Sequence, residues 1–122
     1  MINRITVIGR LTKDPELRHT NNDVAVTTFT VAVERNFANG RGEKETDFIP
    51  VVTWRGLAEI CEKYLSKGRL VGVEGTLQIR SYEAKDGSKR SIAEIIADNV
   101  QFLEKKEDDG FGTVDELDEI PM

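Results

Sequence analysis

The 122-residue chain has one cysteine, one histidine, one tryptophan and three prolines. With Cys61 alone there is no internal disulfide and no zinc-ligand spacing, and a solitary thiol fits a reducing compartment. His19 has no second His or Cys cluster beside it, which leaves no metal centre and no catalytic dyad to build. No apolar run approaches the roughly 18 residues of a membrane span, and Met1-Ile2-Asn3-Arg4-Ile5 leads straight into an alternating pattern and not into a signal peptide. A cytoplasmic protein without membrane association is expected. Gly40-Arg41-Gly42 reads as a turn, and no Gly-rich loop precedes a Lys-Ser/Thr pair, so no nucleotide-phosphate loop, no cofactor and no enzyme are expected.

Positive charge is missing from one region entirely. Glu107 to Met122 carries seven acidic side chains and no basic one. Subtracting these from 22 acidic and 17 basic residues leaves 15 and 17, so the net charge of -5 divides into a body of +2 and a tail of -7. Such a block predicts a disordered acidic tail, 105–122, beside a body free to bind polyanions.

Within the body, Ile5, Val7, Gly9 and Leu11 alternate with Arg4, Thr6, Ile8 and Arg10, predicting a strand with one buried face. Val24 to Val33 predicts a second strand after the turn at Asp14-Pro15 and the polar Asn21-Asn22-Asp23. Asn39-Gly40 signals a hairpin into a third, Phe48 to Arg55, in which Pro50 calls for an edge or a bulge. Leu57, Ile60, Cys61, Tyr64 and Leu65 then fall at helical spacing, predicting an amphipathic helix to Lys67 with Gly68 as its left-handed stop. Arg69 to Tyr82 predicts a fourth strand with Val71, Val73, Leu77 and Ile79 inward and Glu74, Thr76, Gln78, Arg80 and Tyr82 outward. Asp86-Gly87 is a further hairpin turn, and Arg90 to Leu103 is a fifth strand with a kink near Asp98-Asn99. Three strands, one helix and two strands over 1–104 fit an OB-fold, a five-stranded Greek-key barrel with its helix between strands 3 and 4.

Trp54 is followed by Arg55 and shares strand parity with Phe48; Tyr82 ends an outward row with Gln78 and Arg80; Phe37 lies between Arg35 and Arg41 in a hairpin where a buried ring would be odd. The basic residues Arg4, Arg10, Lys13, Arg18, Arg35, Arg55, Lys67, Arg80 and Lys85 are candidates for a phosphate track. Aromatic faces beside a basic track are what sequence-independent single-strand binding needs. The residues alone leave open an accessory or RNA-binding OB module, or a scaffold protein whose sheet and tail meet only other proteins.

The segment Met1-Ile2-Asn3-Arg4-Ile5-Thr6-Val7-Ile8-Gly9-Arg10-Leu11-Thr12-Lys13-Asp14-Pro15-Glu16-Leu17-Arg18 resembles the opening of bacterial single-stranded DNA-binding proteins. Phe29-Thr30-Val31-Ala32-Val33, Asp47-Phe48, Trp54-Arg55, Leu57-Ala58-Glu59, Tyr64-Leu65-Ser66-Lys67-Gly68, Gly72-Val73-Glu74-Gly75 and Tyr82 continue the likeness across 1–104. The resemblance implies a homotetramer that binds single-stranded DNA without catalysis, with Phe37, Phe48, Trp54 and Tyr82 stacking on bases. It further implies that Asp118, Glu119, Ile120, Pro121 and Met122 form a tip recruiting replication, recombination and repair proteins. His19 stands where the family more often has Tyr, and the tip ends in Met122 where the family usually has Phe. That ending and the short linker fit a phage or mobile-element version. The tail is also expected to compete with DNA for the basic groove.

Overall fold

The computed structural model describes residues 1–104. Its elements are β1 (Ile5–Leu11), β2 (Glu16–His19), β3 (Ala25–Ala38), β4 (Lys44–Trp54), α1 (Arg55–Tyr64), β5 (Leu70–Glu83) and β6 (Lys89–Phe102). Strand neighbours run β1-β5-β6-β4-β3-β2, and β1 also pairs with β3 through Arg10↔Ala32 and Leu11↔Val31. That last pairing closes β1, β3, β4, β5 and β6 into a five-stranded OB-like barrel with α1 between its third and fourth strands, as the sequence predicts. The β4–β6 pairing is parallel and short, Val51↔Ile95 and Val52↔Ile96; the others are antiparallel.

Closure brings backbones nearer than side chains allow. A Cβ on Gly9 would collide with the carbonyl oxygen of Ala32, and one on Gly75 with that of Ile96. Beside Gly75 the register slips: Glu74 pairs with Asn99 and Gly75 with Ala97, so Asp98 is an extra residue in β6. This bulge is the predicted kink. It switches the parity of the strand, so that Val100 returns to the core side after Ala97.

Leu11, Phe29, Val31, Val51, Val71, Val73, Ile95 and Ala97 from the strands, with Cys61 and Leu65 from the helical end, make the core. Ile95, Val31, Val51, Val71 and Val73 are fully buried, and burial of side chains this size contributes about 1.5–3 kcal/mol each. Burial pushes the Cys61 thiol up to about 11, against an opposing hydrogen bond with Thr53, so it behaves as a small neutral apolar group. Two buried hydroxyls are satisfied by backbone carbonyls: Thr27 donates to Ala58 at 2.8 Å, joining barrel to helix, and Thr53 donates to Thr27 at 3.0 Å, joining β4 to β3.

Several local expectations change. The helix starts at Arg55 and ends at Tyr64, because Leu65 is already extended with φ -99° and ψ 154°. Gly68, with φ +87°, serves the turn after the helix, where its N–H bonds the Leu11 carbonyl at 2.8 Å. Ile60 and Tyr64 lie outside the buried stripe and are exposed. Leu77 and Ile79, predicted inward, are also exposed, because β5 outruns the barrel there and none of the described residues covers that side. The β3–β4 arm continues to Ala38 and resumes at Lys44, beyond the predicted Val33 and Phe48, through a polar stretch that carries no alternation. Its turn takes positive φ at Gly42, while the Asn39 side-chain oxygen accepts the N–H groups of Arg41 and Glu43 at 2.8 and 3.0 Å. β2, only four residues long, was not expected. Pro50 lies just before Val51, where the second edge of β4 is still unpaired, as proline requires.

Candidate nucleic-acid interface

Register decides which side chains share a face. In β4 the residues Phe48, Pro50, Val52 and Trp54 alternate away from the inward Val51, and Val52 lies beside Ile96 of β6 and opposite Thr28 of β3. Ile96 in turn pairs with Thr76, Glu94 with Gln78, Ile92 with Arg80 and Arg90 with Tyr82. One outer face therefore runs across β3, β4, β6 and β5, bearing Phe48, Trp54, Arg80 and Tyr82. Phe48 is 65% exposed, Trp54 41% and Tyr82 47%. Aromatic rings held bare on a rigid sheet are platforms for other flat, apolar groups.

A cleft of about 560 Å³ lies on this face, lined by Thr28, Thr30, Pro50, Val52, Arg80 and Glu94, among others, and rimmed by the β1–β2 connection with Lys13. On β2, Arg18 and Glu16 share the face with Val26 and Thr28 and pair with each other at 3.1 Å.

Phe37 belongs elsewhere. It is 83% exposed and lines a different cleft of about 690 Å³, between β1 and the β3–β4 arm, with Arg35, Glu45 and Asp47. There the Arg35 guanidinium donates to Asp47 at 2.9 and 3.0 Å and meets Glu45 at 3.1 Å. The hydrogen bond from Arg35 holds the Asp47 carboxyl below the usual carboxylate range. The four aromatic candidates thus divide into a group of three and Phe37 on a separate cleft.

The cations divide as well. Arg4 bonds Asp98 at 2.7 Å, lowering that carboxyl's pKa. Arg10 bonds Glu104 at 2.8 Å and the Gly68 carbonyl at 3.0 Å, lowering the pKa of Glu104. Both lie on the β1 side, which β5 and β3 separate from the β4–β6 wall. Arg80 bonds Glu94 at 2.8 Å, and that hydrogen bond raises the arginine's pKa. Five of the nine predicted cations, Arg4, Arg10, Arg18, Arg35 and Arg80, are therefore already paired with carboxylates. Lys13, Arg55, Lys67 and Lys85 are exposed and form no ion pair among the described residues.

Arg55 is held by strain. Its φ of 58° puts a non-glycine residue in the left-handed region at the sharp corner from β4 into α1, directly after Trp54. Sequence reasoning missed Glu94. The signal was a lone carboxylate inside the apolar run Ile92-Ala93-Glu94-Ile95-Ile96, at outward parity yet buried. The acidic tail and its tip, Asp118 to Met122, lie outside the described residues. No helix among the described residues is long and apolar enough to cross a membrane, and no His, Cys, Asp and Glu cluster among them has the makings of a metal site.

Residues 2–103 match the model of the Single-strand binding protein family. The chain is 52% identical over 116 residues to a single-stranded DNA-binding protein of Caldanaerobacter subterraneus subsp. tengcongensis, covering 95% of this chain and 77% of that protein. It is 58% identical over 106 residues to single-stranded DNA-binding protein 2 of Staphylococcus aureus, covering 87% and 75%. Against single-stranded DNA-binding protein A of Bacillus subtilis it is 53% identical over 113 residues, covering 93% of this chain and 66% of that protein. With a family match over almost all the described residues and identities above half, the chain belongs to the single-strand binding protein family.

Proposed function

We propose that this chain binds single-stranded DNA along the outer face of β3, β4, β6 and β5, with Phe48, Trp54 and Tyr82 as stacking platforms. Membership of the family carries the single-strand binding itself, a non-enzymatic role. The placement rests on one observation: three exposed aromatic rings share a single sheet face by strand register. Stacking tolerates any sequence because every base has a flat face, and each stack is worth about 1–3 kcal/mol. Lys13, Arg55, Lys67 and Lys85 are the cations available to phosphates on this reading. Phe37 would engage the strand only where it passes to the second cleft.

We further propose that the chain works as a homotetramer in replication, recombination and repair. The first edge of β1, unpaired over much of its length, and the bare Ile8, Leu77 and Ile79 support self-association, since apolar side chains on a soluble domain favour a covering partner. On this proposal 1–104 is the DNA-binding domain and 105–122 is the segment whose tip, Asp118 to Met122, recruits partner proteins.

The test is a titration of Trp54 fluorescence with oligo(dT), with duplex DNA of equal length as control. Quenching by the single strand alone supports the assigned face. An unchanged signal with both ligands would remove Trp54 from the track.

A further inference from the structure

On the proposed DNA-binding face, Arg80 is paired with a carboxylate that is itself buried. The Glu94 side chain is 8% exposed and the Arg80 side chain 57%, with the guanidinium Nε donating to Glu94 Oε1 at 2.8 Å. In other ion pairs among the described residues, such as Arg4–Asp98 and Arg35–Asp47, both partners are well exposed. Such exposed pairs exchange readily for a phosphate. The Arg80 pair does not, because leaving a buried carboxylate without its partner costs far more than one phosphate contact returns.

We infer that Glu94 is a positioning residue that keeps Arg80 off the phosphates and turns it into a salt-insensitive base contact, the flat guanidinium lying beside Tyr82 as a further stacking platform. Both residues line the cleft of the outer face, and Arg80 stands two residues before Tyr82 at the same parity. Guanidinium planes stack on aromatic faces, whereas an ammonium offers only a point charge. A pair with no net charge also adds nothing to the counterion release that makes DNA binding salt-dependent. The inference rests on the proposed DNA face, and reassigns one of its cations.

The experiment measures oligo(dT) affinity of the full chain over a series of NaCl concentrations, together with Trp54 quenching. Arg80→Lys keeps the charge and loses the plane, and should weaken binding by about fivefold or more, the lower end of one stacking contact, with the salt slope unchanged. The double variant Arg80→Gln with Glu94→Gln removes both charges and should also leave the slope unchanged. Glu94→Gln alone frees Arg80 for a phosphate and should steepen the slope by about 0.7, the increment for one contact on a single strand. Lys13→Ala, the control for an ordinary phosphate contact, should flatten it by about 0.7. Wild-type affinity in Arg80→Lys, or a slope flattened by about 0.7 in the double variant, would overturn the inference. Arg80→Lys decides alone if the Glu94 variants fail to fold. Loss of Trp54 quenching in the wild type would instead overturn the face, and the role of Arg80 with it.

Discussion

The inner and outer faces of the same strands carry similar side chains to opposite ends. In β4, Val51 is fully buried while Phe48 and Trp54, at the alternate parity, are bare. In β6, Ile95 is fully buried, and its neighbour Glu94 is buried on the other face with a charged partner. Phe29 and Phe48 are the same residue type on neighbouring strands, 6% and 65% exposed. Aromatic content therefore says little here. Parity and the presence of a covering layer decide whether a ring is buried in the fold or left exposed.

That division makes substitutions separable. The largest effect belongs to the inner face: Ile95→Ala should cost about 2–5 kcal/mol of stability in urea unfolding, with the affinity of the folded fraction preserved. Equal loss of binding per folded molecule would mean the two faces are coupled. On the outer face, Phe48→Ala should cost about 1–3 kcal/mol of oligo(dT) binding while unfolding stability stays within about 0.5 kcal/mol. A large loss of stability instead would place Phe48 in the structural layer.

Arg55 sits where the two demands conflict. Arg55→Gly should relieve the left-handed strain and raise stability by about 1 kcal/mol, while flattening the salt slope of binding by about 0.7 for one lost phosphate contact. A protein no more stable than wild type would show that contacts of Arg55 offset its backbone cost.

The smallest effect is on the ion pairs. Arg35, Arg4 and Arg10 lower the carboxyl pKa values of Asp47, Asp98 and Glu104. A carboxyl with a lower folded than unfolded pKa adds stability present above the unfolded value, about 4, and lost as pH falls through the folded one. Melting temperature should accordingly hold from neutral pH to about 5 and drop below about 4. Asp47→Asn, which leaves Arg35 facing Glu45, with Glu34 lining the same cleft, should reduce that acid slope. An unchanged slope would assign acid sensitivity to the pairs on the β1 side.

Much of the fold was legible because alternation is a local property. The five barrel strands, the helix between the third and fourth, the Asp86-Gly87 turn and the kink at Asp98 all follow from spacing within short windows. Legibility failed where burial depends on distant chain. Leu77 and Ile79 have inward parity but no layer over them among the described residues, and Ile60 and Tyr64 follow helical spacing past the width of the core. β2 and the outer part of the β3–β4 arm are too polar to alternate, so their pairing partners, not their composition, make them strands. Trp54, Phe48 and Tyr82 could be singled out one by one, yet their common face, and the separation of Phe37 from it, depends on register across four strands.

By itself the sequence determined the barrel's class, the inward and outward sets of its central strands, and the residue types suited to a single strand. Periodicity and turn chemistry act between near neighbours, so they can be read along the chain. Only the tertiary structure decided which arginines are spent on carboxylates, as Arg80 is on Glu94, and which cations, such as Lys13, form no ion pair among the described residues. Charge pairing is set by distance in space, and residues 14 positions apart, such as Arg80 and Glu94, meet only after β5 and β6 have paired.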